Sequence, residues 1–112
     1  MRARHRRALA AHLETLLVHL LKWQYQPARR QTGHSWVDSI RETRTQLAAG
    51  LSDVYAASPQ FQASAVRRYR AARREASRQT GLPVATFPAA CPWPLAQILD
   101  PTFFPAPDGG HP

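Results

Sequence analysis

Proline decides where this chain can be helical. It stands at Pro27, at Pro59 and then eight more times from Pro83 to Pro112. A proline ring lacks an N–H and clashes with the preceding turn, so it sits at the first turn of a helix or outside it. The stretches before Pro27, from there to Pro59, and from Pro59 to Leu82 can each hold one long helix. The remainder can hold none.

The first helix is expected from Arg4 to Gln24. At about 100° per residue, Leu9, Leu13, Leu16, Leu17, Leu20 and Leu21 fall within an arc of roughly 140°, while Glu14, Val18 and Lys22 point elsewhere. His5, His12 and His19 recur every seven residues along the edge of that face. Neighbours in such a stripe lie about 10.5 Å apart along the axis. A zinc ion reaches only ~2 Å to each nitrogen, so this helix alone holds no metal, and none is expected. The helix closes on His19-Leu20-Leu21-Lys22-Trp23-Gln24-Tyr25-Gln26-Pro27, a structural hub that ends the helix and receives whatever the C-terminal segment lays on it. Tyr25 should face away from the leucines.

A loop should follow over Ala28 to His34, with Ser35 as N-cap and Asp38 three residues on. The second helix is expected from Trp36 to Ala56, with Trp36, Ile40, Leu47, Leu51 and Val54 in a narrow seam of roughly 60°. Arg44 lies at the margin of that seam and should be partly buried, which requires an acceptor. Glu14 or Glu75 could supply a carboxylate, a backbone carbonyl at a helix end is the alternative, and an anion or ligand site is the functional reading.

Ser58 and Pro59 supply an N-cap and a first helical residue for the third helix, which should reach Gln79 or Thr80. Gly81 is then the left-handed residue of a Schellman ending, and Pro83 prevents resumption. Phe61, Ala65, Tyr69, Ala72 and Ala76 share one face; Arg67, Arg70, Arg74 and Arg78 share the opposite one, a stripe about 16 Å long. The proline-rich remainder still carries Val84, Phe87, Trp93, Leu95, Ile98, Leu99, Phe103 and Phe104. That apolar surface calls for an extended strap over the bundle, with one short helix from Pro94 to Leu99 and Pro94 at its first position. The expected fold is all-α: a three-helix antiparallel bundle with a proline-rich C-terminal strap, one domain over residues 1–105 and a disordered tail over 106–112.

Fifteen basic side chains, all arginine except Lys22, stand against seven acidic ones. The net charge of +8 points to acidic partners. Compositional bias toward arginine, alanine and proline is the competing explanation. Met1 to Arg7 resembles the basic start of a signal peptide, but His12 and Glu14 interrupt the apolar run that should follow. Leu16 to Leu21 falls far short of the ~20 residues that span a bilayer. With one cysteine, Cys91, no internal disulfide forms. A cytoplasmic protein without a membrane role is expected.

Several motifs in order resemble one family. They are the run Leu16 to Pro27, then Ser35-Trp36 with Ile40 and Arg44, Ser58-Pro59, Tyr69 with Thr80-Gly81-Leu82-Pro83, and Phe87-Pro88-Ala89-Ala90-Cys91-Pro92-Trp93 followed by Leu95, Leu99 and Asp100. The set, spread over about residues 7 to 105, resembles the bacterial family called domain of unknown function 29. The resemblance implies an all-helical fold with a C-terminal hook and no established activity. Two departures accompany it. Gln79 stands where an acid usually precedes Thr-Gly, and family members usually start earlier, with an acidic helical segment. If that segment covers the first helix, this chain is expected to start at a mis-assigned codon, expose apolar surface or self-associate.

Three function classes follow. A non-catalytic protein-interaction module, binding itself or another bacterial protein, is suggested by the broad leucine face. Nucleic-acid or other polyanion binding through Arg67, Arg70, Arg74 and Arg78, helped by Arg29, Arg30 and the N-terminal arginines, is the alternative, though no base-reading motif or stacking platform accompanies the stripe. An enzyme would draw on His19, Arg44, Tyr25 and Cys91, but no catalytic set or cofactor loop is legible and no cofactor is expected. His19 and Arg44 form the candidate polar site, and their side chains are expected to approach one another.

Overall fold

The computed structural model describes residues 2–26 and 35–106. The proline stop at Pro27, the loop Ala28 to His34 with Arg29 and Arg30, the capping side chain of Ser35 and the tail beyond Ala106 lie outside the described residues. Five α-helices follow in order: α1 (Ala3–Tyr25), α2 (Ser35–Gly50), α3 (Asp53–Ala56), α4 (Pro59–Thr80) and α5 (Leu95–Leu99), with a 3₁₀ turn at Val84–Thr86 before α5. No strand occurs among the described residues.

α1 is the central element. It packs against both α2 and α4, which make little contact with each other. Side-chain contacts give the directions. His5 near the start of α1 bonds Gly50 at the end of α2, and Lys22 near the end of α1 lies over the Trp36 ring at the start of α2, so α1 and α2 are antiparallel. Glu14 meets Arg68 and Lys22 meets Gln79, so α1 and α4 are parallel. This is the up-down-up course expected of a three-helix bundle.

The leucine face is fully used. Leu9, Leu13, Leu16, Leu17, Leu20 and Leu21 are all buried within the chain. The apolar surface expected to lie open or to drive self-association is therefore covered by α2, α4 and the strap. Val18, expected off this face, is only 4% exposed. With helices on two sides, α1 buries a wider arc than its leucines define, and Val18 lies beneath the polar end of α4 beside Glu75 and Gln79.

The second helix is shorter than expected. It stops at Gly50, and a separate turn, α3, starts after Ser52, whose hydroxyl accepts the Tyr55 N–H at 3.1 Å. Glycine disfavours helix continuation, and a serine cap followed by Asp53 at the positive end of a new turn favours a restart. Val54 is consequently outside the seam and 85% exposed. Ile40 and Leu47 remain buried, with Leu51 half-buried.

α4 follows its sequence signals closely. Ser58 Oγ accepts the Phe61 N–H at 3.1 Å, Pro59 is the first helical residue, and Gly81 has φ 76°. Its ending is the simpler left-handed cap and not a Schellman motif. The Gly81 N–H bonds Ser77 O at 2.9 Å, but the Leu82 N–H bonds Thr80 Oγ1 at 3.1 Å. The hydroxyl has taken the donor that a Schellman motif would send back into the helix.

The strap solves the problem set by its own prolines: an extended segment without a partner strand leaves carbonyls in need of donors. Side chains of the bundle provide them. Ser77 Oγ donates to Leu82 O at 2.6 Å, Arg73 Nε to Phe87 O at 3.0 Å, Tyr69 Oη to Pro88 O at 2.6 Å and Arg44 Nε to Ile98 O at 2.9 Å. Between these pins Phe87, Trp93 and Ile98 are buried, while Val84 is exposed. Pro94 stands at the N-cap of α5, one residue before the expected first turn, and its carbonyl accepts from Gln97 and Ile98. The hub at the end of α1 does receive the strap: Trp23 packs on Phe104 with ring centroids 5.2 Å apart, and Tyr25 meets Phe87 edge-on at 5.3 Å. Tyr25 is thus half-buried, because the strap extends the core past the leucine face.

Candidate functional site

Arg44 is the most deeply placed charge among the described residues, 5% exposed on the inner side of α2. The carboxylates that could have neutralised it are engaged elsewhere. Glu14 pairs with Arg68 at 3.1 Å, and Glu75 pairs with Arg78 and accepts from Gln79. The carbonyl alternative is the one realised, since Nε donates to Ile98 O at the end of α5. The guanidinium carbon lies over the Phe104 ring, with Cζ 5.6 Å from its centroid. Nη1 and Nη2 are buried with no hydrogen-bond partner among the described residues. Burial lowers the Arg44 pKa, opposed by the charge of Asp100.

A hollow of about 390 Å³ adjoins Arg44 and is lined also by Arg41, Thr45, Ala48, Leu99 and Pro101. No motif or apolar periodicity marks Arg41 in the sequence. Its signal is spacing: it precedes Arg44 by three residues, a distance that places two helical side chains on one side. The Asp100 carboxylate beside this hollow is turned to its own loop, Oδ1 accepting from Thr102 N and Thr102 Oγ1, both at 2.8 Å. Those bonds, more than Arg44, hold the Asp100 pKa below the usual carboxylate range.

His19 has different surroundings. Its Nδ1–H donates to the Thr15 carbonyl at 2.8 Å, and it lines a hollow with Glu14, Thr15, Val18, Glu75 and Gln79. Burial lowers its pKa against the raising effect of the Thr15 bond, with Lys22 adding to the depression. His19 and Arg44 bond different carbonyls and border different hollows. Of the other members of the histidine stripe, His5 donates from Nε2 to Gly50 O at 2.7 Å, closing the end of α2. No group of three histidine, cysteine, aspartate or glutamate side chains fit to hold a metal occurs among the described residues.

Cys91 is half-buried in the strap. Its thiol donates to Trp93 O at 3.4 Å, and desolvation raises its pKa. It borders a hollow of about 280 Å³ with Val66, Tyr69, Arg70, Ala89 and Ala90, and it shares neither hollow nor hydrogen bond with His19.

The arginines of α4 divide by face. Arg68 and Arg73 turn inward and are bonded to Glu14 and to the Phe87 carbonyl. Arg67, Arg70, Arg74 and Arg78 are exposed, as the periodicity requires. Arg78 is tied to Glu75, whose pKa that bond and the Gln79 bond lower to about 2. Arg67, Arg70 and Arg74 have no ion pair among the described residues. Because α1 and α4 are parallel, Arg6 and Arg7 also come beside Arg67 and Arg68, around a hollow of about 250 Å³.

Among the described residues no helix is long and apolar enough to cross a membrane. The family model described as Domain of unknown function DUF29 matches residues 1–104. No curated protein and no solved structure matches the chain.

Proposed function

The chain belongs to the family Domain of unknown function DUF29, and on that footing we propose that it is a non-catalytic protein-interaction module that docks an acidic partner protein on the outer face of α4. The observation that carries this reading is the combination of Arg67, Arg70 and Arg74, exposed and without ion pairs among the described residues, with Val66, which is 56% exposed. Val66 and Arg70 border the same hollow, whose other walls include Ala89 and Ala90. Unpaired guanidinium groups beside small apolar walls suit a protein segment that alternates carboxylates with apolar side chains. The partner is a different protein and not a second copy, because a net charge of +8 opposes bringing two such faces together and the leucine face is already covered.

Polyanion binding is the second reading, supported by Arg6 and Arg7 lying beside Arg67 at one end of the stripe. Phosphate contacts of that kind are lost steeply with salt. A fluorescent acidic helical peptide with leucine and glutamate on one face, and a random DNA duplex, discriminate the two by anisotropy. The interaction reading expects the peptide to bind at moderate salt and to be weakened by Val66→Asp and by charge reversal of Arg67, Arg70 and Arg74. Tighter binding of DNA than of peptide, unaffected by Val66→Ala, gives the second reading its place. Failure of both probes to bind overturns both.

A further inference from the structure

A guanidinium has five N–H donors in a rigid planar fork, and in Arg44 only the Nε–H is used. The four on Nη1 and Nη2 are buried and meet no acceptor among the described residues. Buried donors of a charged group left in that state are costly, and a carboxylate or phosphoryl group accepting two parallel N–H bonds is the complement that removes the cost. The surroundings select for an anion further. Arg44 lies over the Phe104 ring, Asp100 acts on it by charge while its Oδ1 accepts from Thr102, and the exposed Arg41 brings a second positive charge to the same hollow. The hollow, at about 390 Å³, is of small-ligand size, and Ala48, Leu99 and Pro101 make part of its wall apolar.

We propose that the hollow between α2 and the end of α5 binds a small organic oxyanion, a carboxylate or phosphate ester with a short apolar body, held by Arg44 and Arg41. The oxyanion end lies toward the fork of Arg44, and the apolar body lies against Leu99 and Pro101. Both Nη atoms are closed to bulk water, so an oxyanion reaches them only when the wall of the hollow, which includes Leu99 and Pro101, shifts. This site is separate from the outer face of α4 and does not rest on the reading given for it. Its occupancy would bear on the strap, because Arg44 also holds the Ile98 carbonyl.

The test is a titration of the full chain with hexanoate, phenyl phosphate and inorganic phosphate, followed by the NMR signals of Leu99, Phe104 and the Arg44 side chain. Saturable shifts of these signals below about 1 mM hexanoate or phenyl phosphate are expected. Response to hexanoate alone assigns a carboxylate, and response to phenyl phosphate alone assigns a phosphate ester. Arg44→Lys, which cannot form the fork, should weaken binding about tenfold. Two exposed positions keep the proposal falsifiable should that variant fail to fold: Arg41→Ala should weaken binding several-fold and Asp100→Asn should tighten it. No saturable shift with the two organic probes, or affinity unchanged in both exposed variants, overturns the site.

Discussion

The Tyr69 hydroxyl donates to the Pro88 carbonyl at 2.6 Å, joining the middle of α4 to the strap through a ring that is otherwise buried. The phenol pKa is raised well above its ordinary value, first by burial, then by Cys91 and Tyr25, so the group is a donor throughout the physiological range. Tyr69→Phe keeps the ring and removes the donor, leaving a carbonyl without its partner. Urea unfolding should show a loss of about 1–2 kcal/mol. A variant as stable as the parent would mean that this pin does not hold the strap.

Gly81 is the only described residue in the left-handed region, with φ 76°, and an added Cβ there would meet nothing within 4 Å. The cost of Gly81→Ala is therefore conformational and not steric. A decrease of about 1–2 kcal/mol is expected by thermal unfolding, without change in helical content. Gly81→Asn, which tolerates this conformation better, should lose less.

These two positions differ in how visibly the sequence announces them. Gly81 between Thr80 and Pro83 can be read as a helix ending from residue types alone. The break at Gly50 carries a similar signal in the Gly50 to Asp53 run, but the apolar spacing of Leu47, Leu51 and Val54 continues smoothly across it and masks the stop. Periodicity finds the leucine face of α1, yet not Val18, because one helix cannot say how many neighbours it will have. Arg44 is legible as a buried charge. Its acceptor is not, since any of the strap's carbonyls could serve and backbone atoms leave no mark on residue identity. Nor does residue identity say which hollow His19 or Arg44 borders.

Cys91 should react slowly with thiol reagents in the folded protein. Its pKa is raised by desolvation, offset in part by the bond to Trp93 O, so the thiolate fraction at neutral pH is below that of a free thiol. Modification by a water-soluble disulfide reagent should therefore be at least about tenfold slower than in urea. Equal rates in both conditions would mean that burial does not protect the thiol, and only a faster rate in the folded protein would mark an activated one.

His19 should make the fold sensitive to mild acid. Its pKa in the folded chain is lowered from 6.5, chiefly by burial and further by Lys22, although the Thr15 carbonyl works the other way. Glu14 and Glu75 border the same hollow, and Glu75 remains ionised far below this range because of Arg78 and Gln79. Below about pH 6.5 the unfolded chain binds a proton on this imidazole more readily than the folded chain does, so stability falls as pH falls and is fully present above that window. The midpoint of urea unfolding should thus decrease between about pH 7.5 and pH 5, and His19→Gln should reduce that decrease. An unchanged slope in His19→Gln would assign the acid sensitivity to other groups. Retention of the Thr15 bond by the protonated ring explains why the loss should be gradual: Nδ1 remains a donor after Nε2 gains its proton, so protonation adds a buried charge without breaking the contact that orients the side chain.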